Sequence, residues 1–130
     1  MSQATLKAQA FYPNLTATDL QRSIRFYTEG FGFEIKDRHE RDGVLRYVTM
    51  TAGKATIGIG QDDFAKGRDR VKGVALRFWL ATDQDITDLA ARAKAAGIKL
   101  DEEPAPLPWG PMGFAVTDPD GFKFTIANDK

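Results

Sequence analysis

Two stretches of this chain follow one plan. Residues 12–36 and 74–100 each run from an extended segment through Ala-Thr-Asp into an amphipathic helix, then past a glycine into a second apolar strand. Asp19 is followed by Gly32 and Asp83 by Gly97, so the two spacings differ by one residue. A repeat of this length implies two copies of one supersecondary unit, neither of which can bury its apolar face alone. A functional site is therefore expected between the copies.

At 130 residues and 42% hydrophobic content, the chain can build one packed core, and a single domain over 1–130 is expected in place of two independent ones. Eighteen basic and eighteen acidic residues cancel, with no basic run or stripe, so neither nucleic acid nor an anionic membrane has an electrostatic footprint here. The absence of cysteine excludes a disulfide framework, a thiolate metal site and a cysteine nucleophile. The first ten residues lack an apolar signal region, and no stretch approaches the ~20 apolar residues of a membrane span. A soluble, cytoplasmic protein is the expectation.

Phe11 to Ala17 reads as a strand that ends at Asp19, a good N-cap for a helix from about Leu20 to Glu29. Leu20, Ile24 and Tyr27 share one buried face, and Gly30 and Gly32 stop the helix. Strands follow at 33–38, 44–51 and 55–60, with turns at Arg41-Asp42-Gly43 and Ala52-Gly53. That completes a first β-α-β-β-β unit over about 11–60. The polar, charge-rich segment 61–72 reads as the linker.

The second unit covers about 73–127. Val74, Leu76, Phe78 and Leu80 alternate with Ala75, Arg77, Trp79 and Ala81, which predicts a strand with one face in the core. A helix from about Ile86 to Ala96 is capped by Asp83 or Asp85 and ended by Gly97. Strands are expected at 98–100, 114–117 and 122–127, and the proline-rich piece 102–113 as a loop. Eight strands and two helices in tandem give an α+β architecture with helices over one face of the sheet.

The motifs Asp-Leu-x-x-Ser-Ile-x-Phe-Tyr (Asp19 to Tyr27) and Asp-Pro-Asp-Gly (Asp118 to Gly121), at opposite ends of a repeated chain, resemble the vicinal oxygen chelate superfamily. Its members include glyoxalase I, extradiol dioxygenases and bleomycin-resistance proteins. The resemblance covers nearly the whole chain and implies two tandem β-α-β-β-β units that form an open eight-stranded cup with helices on the outer face. In its metal-binding members, four cup positions carry His, Gln or Glu. Carried over to this chain, those positions are Tyr12, Gly58, Ala75 and Thr125. None suits a divalent ion, which seeks imidazole nitrogen or carboxylate oxygen. The expectation is accordingly no metal, no other cofactor and no catalytic residue, as in the bleomycin-resistance branch.

Alternation points Tyr12, Asn14 and Thr16 into the cup from the first strand, Arg77 and Trp79 from the second unit's first strand, and Lys123, Thr125 and Ala127 from the last. A cup lined in this way suits a planar or amphipathic ligand, through stacking and cation–π contact. The branch resembled uses a Trp-Gly segment as a stacking platform, which here is Trp109-Gly110. The candidate ligand-binding set is Tyr12, Asn14, Arg77, Trp79, Trp109 and Thr125.

Other roles stand beside these. Tyr12 can be a core-edge tyrosine, Arg77 and Trp79 a dimer interface, and Trp109 a cover for its own proline-rich loop. His39 reads as solvated, and Asp101-Glu102-Glu103 as a solvated acidic run. No Gly-x-Ser-x-Gly, phosphate loop or dinucleotide fingerprint is present. The functional expectation is a metal-independent small-molecule binding or sequestering protein, working as a homodimer, as the resemblance implies. The rival is a lyase or dioxygenase of the same superfamily, metal-dependent or not, and a third possibility is a plain interaction domain.

Overall fold

The structure, a computed structural model, describes residues 5–128; the outermost residues of the span read as one domain, 1–4 and 129–130, lie outside it. The elements run β1 (Asn14–Ala17), α1 (Leu20–Phe31), β2 (Glu34–Arg41), β3 (Val44–Ala52), β4 (Ala55–Gln61), β5 (Arg77–Thr82), α2 (Ile86–Ala95), β6 (Glu102–Pro106), β7 (Met112–Thr117) and β8 (Lys123–Asn128). This is the tandem β-α-β-β-β plan. The eight strands form two open four-stranded sheets, ordered β1-β4-β3-β2 and β5-β8-β7-β6. In each sheet the first strand of the unit pairs in parallel with the last, Asn14 opposite Gly58 and Trp79 opposite Thr125.

Local chemistry sets the helices. Asp19 accepts from the Arg22 amide at 3.2 Å to cap α1, and Gly32, at φ 71°, ends it in a left-handed conformation that glycine adopts freely. Gly30 lies inside the helix and does not stop it. A Cβ there would run into the Ile98 side chain, so Gly30 marks where α1 meets the second unit. The cap of α2 is Asp85, not Asp83.

Leu15, Val48, Met50, Ile57 and Ile59 from the first sheet and Phe114, Val116, Phe124 and Ile126 from the second belong to one buried cluster with both helices. Tyr27 and Phe31 of α1 carry this core across the joint, 5.8 Å from Phe124 and 6.5 Å from Phe114 between ring centroids. Both sheets thus turn their helix-covered faces toward a shared interior.

Five expectations are corrected. The first strand begins at Asn14, not Phe11, because Pro13 has no amide to donate; its carbonyl still accepts from Gly58 at 2.9 Å, and Phe11 is exposed. Strand β5 begins at Arg77, since Val74 and Ala75 form a turn, with Ala75 at φ 57°, and Val74 and Leu76 are exposed. Ile98 to Leu100 form no strand. The proline-rich piece supplies one instead: β6 lies at the sheet edge, where a missing proline amide is tolerated, and its register slips between Glu102 and Ala105. His39 lies within β2, which is longer than expected.

A polar latch joins the units at one end. Tyr27 donates to Asp118 Oδ2 at 2.8 Å, while Asp118 Oδ1 accepts from the Asp120 and Phe122 amides, each at 2.9 Å. Asp120 accepts from the Thr18 amide at 3.0 Å and the Ser23 hydroxyl at 3.4 Å. Burial, and then the neighbouring Asp118 carboxylate, push the Tyr27 phenol far above its ordinary range, so it remains a donor. Burial also raises the Asp118 carboxyl, against the hydrogen bonds that lower it. Among the described residues, no such latch joins the equivalent place, between the β3–β4 turn and the start of α2. There a cleft of about 670 Å³ opens between Phe31, Lys54, Leu80, Asp83 and Leu89.

Where the chain crosses between units, Lys72 Nζ stands 3.1 Å from Asp62 Oδ2, both side chains 3% exposed, and donates to Thr18 Oγ1 at 3.0 Å. The Phe64 amide, then Lys72, hold the Asp62 carboxyl below its ordinary value of 3.8. A depressed carboxylate stabilises the fold above its unfolded pKa and loses that contribution as pH falls through the lower folded value. Lys72→Met should therefore destabilise strongly at pH 7, with the deficit shrinking toward pH 4 as the orphaned Asp62 takes up a proton; urea denaturation at both pH values reads this. Gly73, at φ 73°, packs so closely on the Gly121 carbonyl that a Cβ would collide with backbone. Gly73→Ala should cost about 1–3 kcal/mol or more in the same assay.

Candidate functional site

Each sheet leaves one face uncovered by the helices. On the first, Tyr47 of β3 reaches across β4, and its hydroxyl donates to Asn14 Oδ1. Thr49 Oγ1 donates to Asp37 Oδ2 at 3.0 Å, and the His39 ring lies 5.6 Å from that of Tyr47. Burial, then the neighbouring Tyr12 phenol, raise the Tyr47 phenol above its ordinary value. Two phenols and an amide thus gather over the start of β1.

On the second sheet's open face Trp79 and Trp109 lie 5.5 Å apart between ring centroids, tilted by 31°. They are 40% and 65% exposed. Arg77, two residues before Trp79 on the same side of β5, donates to Thr125 Oγ1 at 3.3 Å. A planar guanidinium beside two partly exposed indoles offers stacking and cation–π attraction to a flat ligand.

The six residues singled out from the sequence therefore divide into two groups. Tyr12, exposed just before β1, and Asn14 belong to the first sheet; Arg77, Trp79, Trp109 and Thr125 belong to the second. Thr125 is buried, covered on its own face, and its polar atom is engaged by Arg77. Trp109 does not simply cover its own loop, since it meets Trp79 of another strand. The sequence reading missed Tyr47, although β3 alternation carried the signal: Val48 and Met50 point to the core, so Tyr47 and Thr49 point the other way.

The four positions that would hold a divalent metal do not fit one. Ala75 lies in a turn, Gly58 sits beneath the Tyr47 hydroxyl, Thr125 is taken by Arg77, and Tyr12 offers a phenol. Among the described residues, no three His, Asp or Glu side chains come together.

Comparison with known proteins places the fold and the family. The probable chloroplastic lactoylglutathione lyase of Arabidopsis thaliana is 31% identical over 119 residues, covering 83% of this chain but 32% of that protein. The chain thus spans about a third of that relative's length. Among solved structures, TioX from Micromonospora sp. ML1 superposes with a TM-score of 0.76 at 19% identity, covering 93% of this chain and 98% of that one. A glyoxalase/bleomycin resistance protein/dioxygenase superfamily member from Sphaerobacter thermophilus gives 0.75 at 22% identity, with 95% and 98% covered. The family described as the glyoxalase/bleomycin resistance protein/dioxygenase superfamily matches residues 9–126, and the chain belongs to it.

Proposed function

We infer that the protein binds and sequesters a planar or amphipathic organic molecule without a metal. The observation that carries this reading is the pair of partly exposed tryptophans, 5.5 Å apart, with Arg77 on the same open face. Exposed indoles lose little conformational entropy on binding and offer large apolar faces. The guanidinium adds a cation to the same surface. The residues proposed to contact ligand are Arg77, Trp79 and Trp109 from the second sheet and Tyr12 and Asn14 from the first, with Thr125 holding Arg77 in place.

A closed cup then needs two copies. Both open faces look away from the core shared by one chain, so an enclosed cup would take the first sheet of one copy and the second sheet of another. Exposed apolar side chains support a homodimer: Phe11 is 97% exposed, Val71 76% and Val74 70%. Such groups are costly to leave in water in contiguous patches.

A second reading, a lyase or dioxygenase of the same superfamily, is favoured by the 31% identity to a protein named as a lactoylglutathione lyase. The tests separate them. Tryptophan emission should be quenched by planar aromatic compounds, 7-methoxycoumarin among them, and the response should fall at least roughly tenfold in Trp109→Ala or Trp79→Ala, an effect of hot-spot size. Silence across the panel sinks the binding reading, and one tightly held nickel, zinc, manganese or iron ion per chain sinks its metal-free character. Light scattering should give a dimer mass that Phe11→Asp with Val74→Asp reduces to that of a monomer.

A further inference from the structure

The tryptophan face accounts for flat apolar ligands but not for the polar group of an amphipathic one. That group has a place on the first sheet, which in the two-copy cup belongs to the other copy. Tyr47 pairs with Gly60 across β3 and β4, and its ring runs along β4, so that a Cβ on Gly60 would meet Tyr47 Cδ1 at 3.6 Å, an ordinary contact. The ring ends over Gly58. A Cβ there would overlap both the Tyr47 hydroxyl and Asn14 Oδ1, so the bare backbone of Gly58 is what lets those two groups meet.

Neither glycine needs to be glycine for its backbone, since neither is among the residues at positive φ. Gly58 is empty for the sake of its neighbours. Across the ladder, Asn14 lies directly opposite it, so the phenol, the amide and the bare backbone occupy one spot on the uncovered face.

Resting on the binding reading above, we propose that Tyr47 and Asn14, brought together over Gly58, form a neutral hydrogen-bonding station that recognises a hydroxyl group on an aromatic ligand. The direction of the internal bond sets the selectivity. Tyr47 gives its proton to Asn14 Oδ1, which leaves phenol lone pairs to accept and the Asn14 amide hydrogens to donate. A ligand hydroxyl satisfies both, donating to Tyr47 Oη and accepting from Asn14 Nδ2. A methyl ether can only accept. A phenolate or carboxylate also only accepts, and would face the phenol lone pairs with a full charge.

Raised above its ordinary value, the Tyr47 phenol keeps its proton at neutral pH. Asp37 is tied to Thr49 on the same sheet, and His39 lies against the Tyr47 ring, so these are the titratable side chains of β2 that border the station.

The experiment compares 7-hydroxycoumarin with 7-methoxycoumarin by tryptophan quenching, at a pH where the hydroxycoumarin is neutral. The wild type should prefer the hydroxy compound by about three- to tenfold, the yield of one neutral hydrogen bond. Tyr47→Phe should erase that preference, the two coumarins then binding alike. Gly58→Ala should erase it too, because the methyl pushes the phenol off Asn14, whereas Gly60→Ala should retain it. Both alanine variants should fold, since Gly58→Ala displaces the free ends of two side chains and Gly60→Ala makes only ordinary contacts; circular dichroism checks this. Equal affinity for the two coumarins in the wild type, or a preference that survives Tyr47→Phe, overturns the station while the tryptophan site stands. Quenching by neither compound overturns both.

Discussion

One apolar interior, shared between two sheets, organises this protein. Neither sheet has enough helix of its own to cover the face it buries. Helix α1 solves this by presenting Tyr27 and Phe31 to the second sheet while Leu20 and Ile24 join the same buried cluster. The hydroxyl of Tyr27 crosses the same joint to Asp118. A side chain that is apolar over most of its area and polar at its tip suits a boundary of this kind, because the ring joins the core while the oxygen satisfies a buried carboxylate.

That interior decides where function can lie. Once the helix-covered faces are consumed in packing, the pair of outward faces stays open beside the cleft at the joint, and each face carries a different chemistry. The second sheet offers indoles and a guanidinium. The first offers a phenol and an amide held over a glycine. A ligand of the kind proposed above, with a flat apolar body and a polar end, would use one face from each of two copies, and among the described residues no metal-ligating set stands on either.

Much of this was legible in the sequence because periodicity is a local property. The repeated Ala-Thr-Asp, the spacing of Leu20, Ile24 and Tyr27, and the alternation through Arg77, Phe78, Trp79 and Leu80 each follow from side-chain direction alone. What escaped depended on a partner distant in the chain. Val74 and Leu76 fit an alternating strand, yet β8 offers no pairing there: its first residue, Lys123, stands opposite Arg77. The segment Glu102–Pro106 has the composition of a loop and becomes a strand because the edge of β7 lies beside it and demands few amides. Tyr47 was overlooked because its importance comes from an absent side chain 11 positions along the chain, at Gly58, on the next strand. The motif Asp-Pro-Asp-Gly was legible as a turn, but its work as a latch appears only when Thr18, Ser23 and Tyr27 are seen beside it.

The duplicated halves do not bear equal loads. The turn between β7 and β8 sets Asp118 among two amides and a phenol, while its counterpart between β3 and β4 is two residues, Gly53 and Lys54, beside an open cleft. A change at Asp118 disturbs both units at once; a change at Lys54 meets mostly water. The two equivalent turns thus carry unequal structural loads, and new side chains, or a longer loop, can be accepted at one end of the molecule without loosening the other.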